Sequence, residues 1–397
     1  MTDICLYFQV HQPLRLSKFS FFDIGQQKEY FDEKANKFYL ERVARKCYKP
    51  ANEAILRLIN ENNGDFKVNY SITGILLDQL EDGFPDVIES FQKIADTGCC
   101  EFFNETYYHS LSWLVSKKEF IEQVKLHRKR MKQTFGIKPK VFRNTEAMYS
   151  NEIAQAADEL GFKGIVCEGI DRFLGWRSPN YVYKAKGSDI KVLSRNYKLS
   201  DDIAFRFSEH SWSEFPLTAD KYASWLSSSQ GDCINIFMDY ETFGEHQWQE
   251  TGIFNFLSYL PNEVLKHKHL NFSLASDIIK KHEPKDEFDV PGIVSWADVD
   301  RDLSAWLENK MQQQAFSELK GLEAQARKAK GKALEDWRRL QISDHFYYMC
   351  TKWFADGDVH KYFNPYENPY DAFINYMNVI NDLKGRVQKK AAGKTKG

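Results

Sequence analysis

The sequence predicts an α/β fold, a barrel of parallel strands followed by a smaller helical domain, on three observations. Short apolar runs rich in β-branched and aromatic residues alternate with longer stretches of helical periodicity, as β/α units of a parallel sheet do. That alternation stops near Val290, and only helical patterns follow. The 397 residues also exceed the roughly 250 to 300 at which one core stops growing, so a large domain needs a companion.

The boundaries expected are residues 1–290 for the barrel, 291–383 for the helical domain and 384–397 for a basic, small-residue tail outside the ordered fold. In chain order, strands are expected over Ile4 to Val10, Phe66 to Thr73, Cys99 to Phe103, Pro139 to Phe142, Gly164 to Cys167, Ile190 to Leu193, Cys233 to Met238 and Leu270 to Leu274. Between them Pro50 to Asn60 reads as a helix with proline in its first turn, and Lys118 to Phe135 as one that stops at Gly136. Seven or eight such units suggest a barrel. Beyond them Leu303 to Ala324, Ala333 to Lys352 and Pro369 to Leu383 read as helices, with a solvated bend at Lys328 to Lys332.

Composition narrows the function. Lysine plus arginine, 54, nearly balance aspartate plus glutamate, 56, which leaves no electrostatic footprint for nucleic acid or an anionic membrane. Seven cysteines without a C-x-x-C pair argue against a disulfide framework or zinc knuckle. Together with the absence of a signal peptide and of any apolar run near 18 residues, they suggest a soluble cytoplasmic protein. Aromatic residues make up 15%, high enough that some are expected to line a cleft and stack on ligand rings while most fill the core.

In a parallel barrel the chemistry sits just past the C-terminal strand ends. Those positions hold His11-Gln12-Pro13, Asn104 to His109, Arg143-Asn144-Thr145-Glu146, and Asp239 to His246. Two carboxyl groups from separate strand ends are what glycoside hydrolysis requires, and Glu146 and Asp239 fit that template. Spacing alone leaves Glu105, Glu168, Glu241 and Glu245 as competitors, since most of the 56 acids serve as solvated or paired surface charges. His11, His109 and His246 with Asp239 offer a metal site on paper, yet no paired-histidine motif lies on a predicted helix. A serine hydrolase is disfavoured by the lack of a G-x-S-x-G elbow.

Five segments in order resemble glycoside hydrolase family 57, the α-amylase and 4-α-glucanotransferase family: His11-Gln12-Pro13; Gly98 to His109 with its Tyr107-Tyr108 pair; Phe142 to Glu146; Met238 to Gly244; and Ser295-Trp296-Ala297-Asp298 with Arg301 to Trp306. The resemblance implies an incomplete (β/α)7 barrel of parallel strands followed by a C-terminal helical domain, α-1,4-glucan substrates, retention of anomeric configuration and no metal or other cofactor. It implies Glu146 as nucleophile and Asp239 as general acid/base, their carboxyls about 5 to 5.5 Å apart. Substrate contacts are expected from His11, Gln12, Tyr108, His109, Arg143, Glu241, Trp296, Asp302 and Trp306. Arg143 is expected to orient Glu146, and Trp296 and Trp306 to stack on sugar. The third segment lacks the tryptophan usual near the nucleophile, and without the long C-terminal extensions of the family's branching enzymes and amylopullulanases those two activities are less expected. Hydrolysis and transfer to another glucan remain open. More distant readings are a metal-dependent deacetylase or mannosidase-like enzyme and a glucan-binding protein without turnover.

Overall fold

The computed structural model describes residues 1–352 and 363–393, with side chains to residue 389. Ten strands are present among them: β1 (Thr2–Val10), β2 (Val68–Ile72), β3 (Cys100–Phe102), β4 (Val141–Arg143), β5 (Gly164–Glu168), β6 (Val182–Ala185), β7 (Lys191–Arg195), β8 (Cys233–Asp239), β9 (Leu270–Phe272) and β10 (Glu287–Phe288). β1 has apolar side chains on both faces and is buried from Asp3 to Val10, as a strand covered on both sides should be.

Register defines the barrel. β1 pairs in parallel with β8 over Asp3 to Gln9, and on its other edge with β9 at its start and β2 toward its end. β3 continues from β2, and an isolated parallel bridge from Asn104 to Phe142 carries the ladder to β4. β5 and β7 follow in parallel. At the last seam the Asn196 N–H donates to the Asn235 carbonyl at 2.8 Å, but most of the free edge of β7 is taken by antiparallel β6, which pairs with β10. Seven parallel strands therefore form a barrel left incomplete between β7 and β8. β6 and β10 were not expected: Val182–Ala185 and Glu287–Phe288 are too short for a strong period-two signal, and Lys184 and Glu287 sit at the paired edge.

Alternation along the strands sets what the barrel encloses. Cys5, Tyr7, Phe103, Val141, Val166, Leu193, Cys233 and Phe237 form one apolar cluster, plugged by Ala275, Ile278 and Ile279 of the helix Ala275–Lys281. Ile4, Leu6, Phe8, Ile234, Ile236 and Met238 belong instead to the cluster shared with the surrounding helices. Two residues on from the inner apolar side chains, on the same face, come Gln9, Glu105, Arg143, Glu168, Arg195 and Asp239. The floor is apolar and the C-terminal rim is charged.

The expected helices appear as Lys49–Glu61, with Pro50 in its first turn, and Lys117–Phe135. Ser116 caps the latter through the Glu119 N–H, and Gly136 ends it at φ 71°, a conformation glycine adopts without penalty. Its inner face carries Glu119, Gln123 and His127.

The C-terminal region is helical but more divided than expected. Leu303 to Ala324 resolves into Ser304–Leu307, Lys310–Gly321 and the start of Glu323–Ala329, because Asn309 and Gln312 form a capping box that begins a new helix. Ala333 to Lys352 becomes Gly331–Arg339 and Ser343–Tyr347, interrupted where Ile342 bridges to Ser110. The bend at Lys328 to Lys332 turns at Lys330, φ 57°. The final helix spans Pro369–Gly393, which corrects the reading of residues from 384 onward as tail: Val387 is fully buried and Arg386 pairs with Asp382, so the apolar stripe outlasts the basic composition. Residues 394–397 lie outside the described residues.

Trp306 and Trp337 anchor the helical core, each worth about 4 to 6 kcal/mol of burial at the usual area coefficient. Leu16, Phe19 and Tyr30 from the segment after β1 join them. Buried Glu119 of the barrel receives Arg327 at 2.7 Å and Arg338 at 2.8 Å from the helical side. Apolar contact and buried charge both fix the two layers together. No helix among the described residues is long and apolar enough to cross a membrane.

Candidate active site

The chain leaving β4 is strained. Glu146 lies at φ 55°, ψ 28° and Ala147 at φ 50°, left-handed conformations that cost non-glycine residues roughly 1 to 3 kcal/mol each. The result aims a nearly buried carboxylate at three donors. Its Oε1 accepts from the Ser343 hydroxyl at 2.9 Å and lies 3.2 Å from His109 Nε2; its Oε2 accepts from the Trp296 indole N–H at 3.0 Å.

His109, itself at φ 51°, bridges two acids, because its Nδ1 is 3.2 Å from Glu105 Oε2. Burial opposes a charged ring, but the hydrogen bonds with Glu105 and Glu146 and the attraction of Glu146 outweigh it and lift His109 to about 9. Glu105 is fully buried; burial disfavours its charge, yet His109, His127 and Arg143 hold its carboxyl below the ordinary value. His11 stacks on His109 with ring centroids 4.1 Å apart. Its nitrogens face the Thr73 hydroxyl at 3.0 Å and Asp344 at 3.2 Å, and burial with the adjacent His109 charge lowers it to about 4, so this ring is neutral.

Past β8 the chain presents Asp239 and then a turn carrying Glu241. Glu241 accepts from the Tyr48 hydroxyl at 2.5 Å and the His11 amide at 3.4 Å. Burial first, and the nearby Asp239 charge second, raise it to about 8. The turn can seat there because Gly244, at φ 104°, passes within reach of the Lys46 carbonyl, where an added Cβ would lie only 2.0 Å away.

One cavity is lined by His11, Gln12, His109, Glu146, Asp239, Glu241 and Trp296. Gln9, Pro13, His246, Asp344 and Phe363 complete it. The other expected contacts lie elsewhere. Tyr108 packs against Ile75 and Ile342, and Trp306 is fully enclosed in the helical core, so neither offers a stacking face. Asp302 caps its own turn through the Ser304 amide. Arg143 is fully buried with its guanidinium 4.6 Å from the Trp296 ring centre, and its nitrogens make no hydrogen bond among the described residues; it acts on Glu105 and His109 through charge rather than by gripping Glu146.

The competing acids have structural partners: Glu168 binds Arg195 at 3.0 Å and Arg301 at 2.7 Å, and buried Glu245 binds Arg42 at 2.5 Å. The histidines of the metal reading are engaged otherwise: the ring nitrogens of His11 and His109 all face protein partners, and no three acidic, histidine or cysteine side chains among the described residues are grouped to hold an ion. All seven cysteines are free thiols. Sequence reasoning missed Ser343 and Asp344, which reach the site from the helical domain about 200 residues beyond Glu146. No local pattern marks them except the opening of a short helix.

Comparison with known proteins agrees with this architecture. The profile of Glycosyl hydrolase family 57 matches residues 5–291. A Methanocaldococcus jannaschii protein provisionally named an alpha-amylase is 47% identical over 406 aligned residues, covering 98% of this chain and 85% of that one. Among solved structures, a family 57 branching enzyme from Thermococcus kodakaraensis superposes with a TM-score of 0.67 at 14% identity, covering 91% of this chain and 87% of that one. A 4-alpha-glucanotransferase from Thermococcus litoralis gives 0.65 at 17% identity, covering 87% of this chain and 56% of that one. At such identities the two structures speak for the fold alone. With the profile spanning most of the barrel and a relative matched over nearly its whole length, this chain belongs to glycosyl hydrolase family 57.

Proposed function

We propose that the chain is a retaining glycosidase acting on α-1,4-glucans, α-amylase-like, with Glu146 as nucleophile and Asp239 as general acid/base. The observation that carries the reading is one cavity lined by two carboxyls from separate strand ends: Glu146, held by His109, Trp296 and Ser343, and Asp239, which faces the same space. Asp239 protonates the glycosidic oxygen as Glu146 attacks the anomeric carbon, and later takes the proton of the incoming water. The alpha-amylase name of the 47% identical relative supports the substrate class.

Transfer in place of hydrolysis uses the same glycosyl-enzyme, with a sugar hydroxyl replacing water. It is kept as the second reading because both outcomes need the same two carboxyls and differ only in the acceptor. Product analysis on a maltooligosaccharide series separates the two: maltotriose yielding glucose and maltose alone means hydrolysis, and longer products mean transfer. Glu146→Gln and Asp239→Asn should each remove turnover, and full activity in either would sink the assignment. α-Configured products at early times are expected by NMR.

A further inference from the structure

His109 has more structure around it than a sugar contact requires. Its two nitrogens face Glu105 and Glu146, carboxylates that only accept, so only a doubly protonated ring donates to both. The backbone is left-handed at His109 and at Glu146, strain that persists only when surroundings over-determine a geometry. Ser343 ties the two together, donating its amide to the His109 carbonyl at 3.0 Å and its hydroxyl to Glu146 at 2.9 Å. The face of the ring lies on neutral His11.

We propose that His109 is a positioning residue acting through Glu146, and that it favours departure of the Glu146 carboxylate from the glycosyl-enzyme; this rests on Glu146 being the nucleophile. In that half-reaction the oxygen of water or a sugar hydroxyl bonds to the anomeric carbon. The bond from that carbon to Glu146 breaks, its electron pair returns to the carboxylate, and Asp239 takes the proton of the incoming oxygen. The His109 N–H then meets a full negative charge where the ester oxygen carried a fraction of one, so its hydrogen bond strengthens toward the transition state. During attack the same bond opposes reaction, because it stabilises the carboxylate that must leave its donors. Losing His109 therefore slows the second half more than the first.

Among the described residues the charged groups facing the ring are Glu105 just past β3, Arg143 at the end of β4, Glu146 in the turn after it, and, beyond His11, Asp344 from the helical domain. With His109 raised to about 9, the ring keeps its charge through neutral pH, sustained by its hydrogen bonds with Glu105 and Glu146 and by the charge of Glu146.

The test uses the full chain with p-nitrophenyl α-maltotrioside, stopped-flow detection of nitrophenol and mass spectrometry of quenched enzyme. His109→Gln should release nitrophenol in a burst and accumulate glycosyl-enzyme. Its kcat should fall roughly a hundredfold with KM falling alongside, so that kcat/KM changes far less. Glu105→Gln keeps the ring but removes one of its two hydrogen-bonded carboxylates, so the basic limb of kcat should move to lower pH. Equal losses in kcat and kcat/KM without a trapped adduct, or wild-type kinetics, overturn the proposal. If His109→Gln does not fold, the Glu105→Gln profile decides, and an unmoved basic limb overturns it. An active Glu146→Gln enzyme with no adduct in any variant instead removes the nucleophile assignment, a separately recognisable failure.

Discussion

Trp296 holds Glu146 at two points, its backbone N–H donating to the Glu146 carbonyl at 3.1 Å and its indole N–H to the carboxylate at 3.0 Å. The strained turn after β4 is thus completed by a segment 150 residues later in the chain.

Replacing Trp296 by phenylalanine deletes the indole donor while keeping an aromatic ring beside Arg143. A hydrogen bond to a charged group is worth about 1.5 to 3 kcal/mol, and like the His109 bond it strengthens as the carboxylate is released, so kcat on maltooligosaccharides should drop roughly 10- to 100-fold while kcat/KM changes less. Steady-state kinetics with a melting curve as folding control check this, and an unchanged rate would show that the other donors suffice.

Glu241 gives a pH test with a definite sign. Its carboxyl is raised to about 8 in the folded chain, above the ordinary value near 4.5. Its contribution to stability is therefore complete below about pH 4.5 and is lost as pH rises through about 8. Glu241→Gln mimics the neutral form at every pH, so its melting temperature relative to wild type should rise between pH 5 and pH 9 by about 2 to 4 °C or more. Parallel curves for the two proteins across that range would contradict the burial argument.

Gly244→Ala should be among the costlier substitutions. A methyl group would collide with the Lys46 carbonyl, part of a helix, and φ 104° is itself unfavourable for alanine. Displacing the turn that carries Glu241 should cost at least about 2 kcal/mol and most activity. Urea denaturation and product assay measure both, and a wild-type midpoint would mean that the turn yields freely.

At the opposite end of the barrel, Asp3 accepts from Asn271 at 2.5 Å, Ser273 at 2.6 Å, Lys281 at 2.7 Å and His282 at 2.5 Å. Burial disfavours its charge, but these partners together hold its carboxyl below 3.8. The stability it supplies is present above about pH 3.8 and lost as pH falls through the lowered value. Asp3→Ala should cost about 3 kcal/mol at pH 7, the low end for a broken buried pair because Lys281 is half exposed, and should lose less stability than wild type below pH 4. Equal acid sensitivity in both proteins would remove Asp3 as the cause.

Much of the barrel was readable because its rule is local. A buried parallel strand demands an apolar run, and the residue that follows emerges at the C-terminal rim, so the strand ends bearing Glu146 and Asp239 stood out before any contact was known. The last helix was readable too: Ile380, Leu383 and Val387 keep helical spacing, and only the lysine-rich composition hid its continuation to Gly393.

What the sequence by itself determined was the order of the parallel barrel strands and the strand ends that carry Glu146 and Asp239, since period and burial are properties of neighbouring residues. The tertiary structure alone decided which of two similar tryptophans meets the cavity, Trp296 and not Trp306, and that Ser343 and Asp344 complete the site. It also placed Arg143 under an indole ring instead of against Glu146. Those outcomes depend on how the helical layer docks onto the barrel, and docking sums weak contacts between segments far apart in the chain, which no local pattern records.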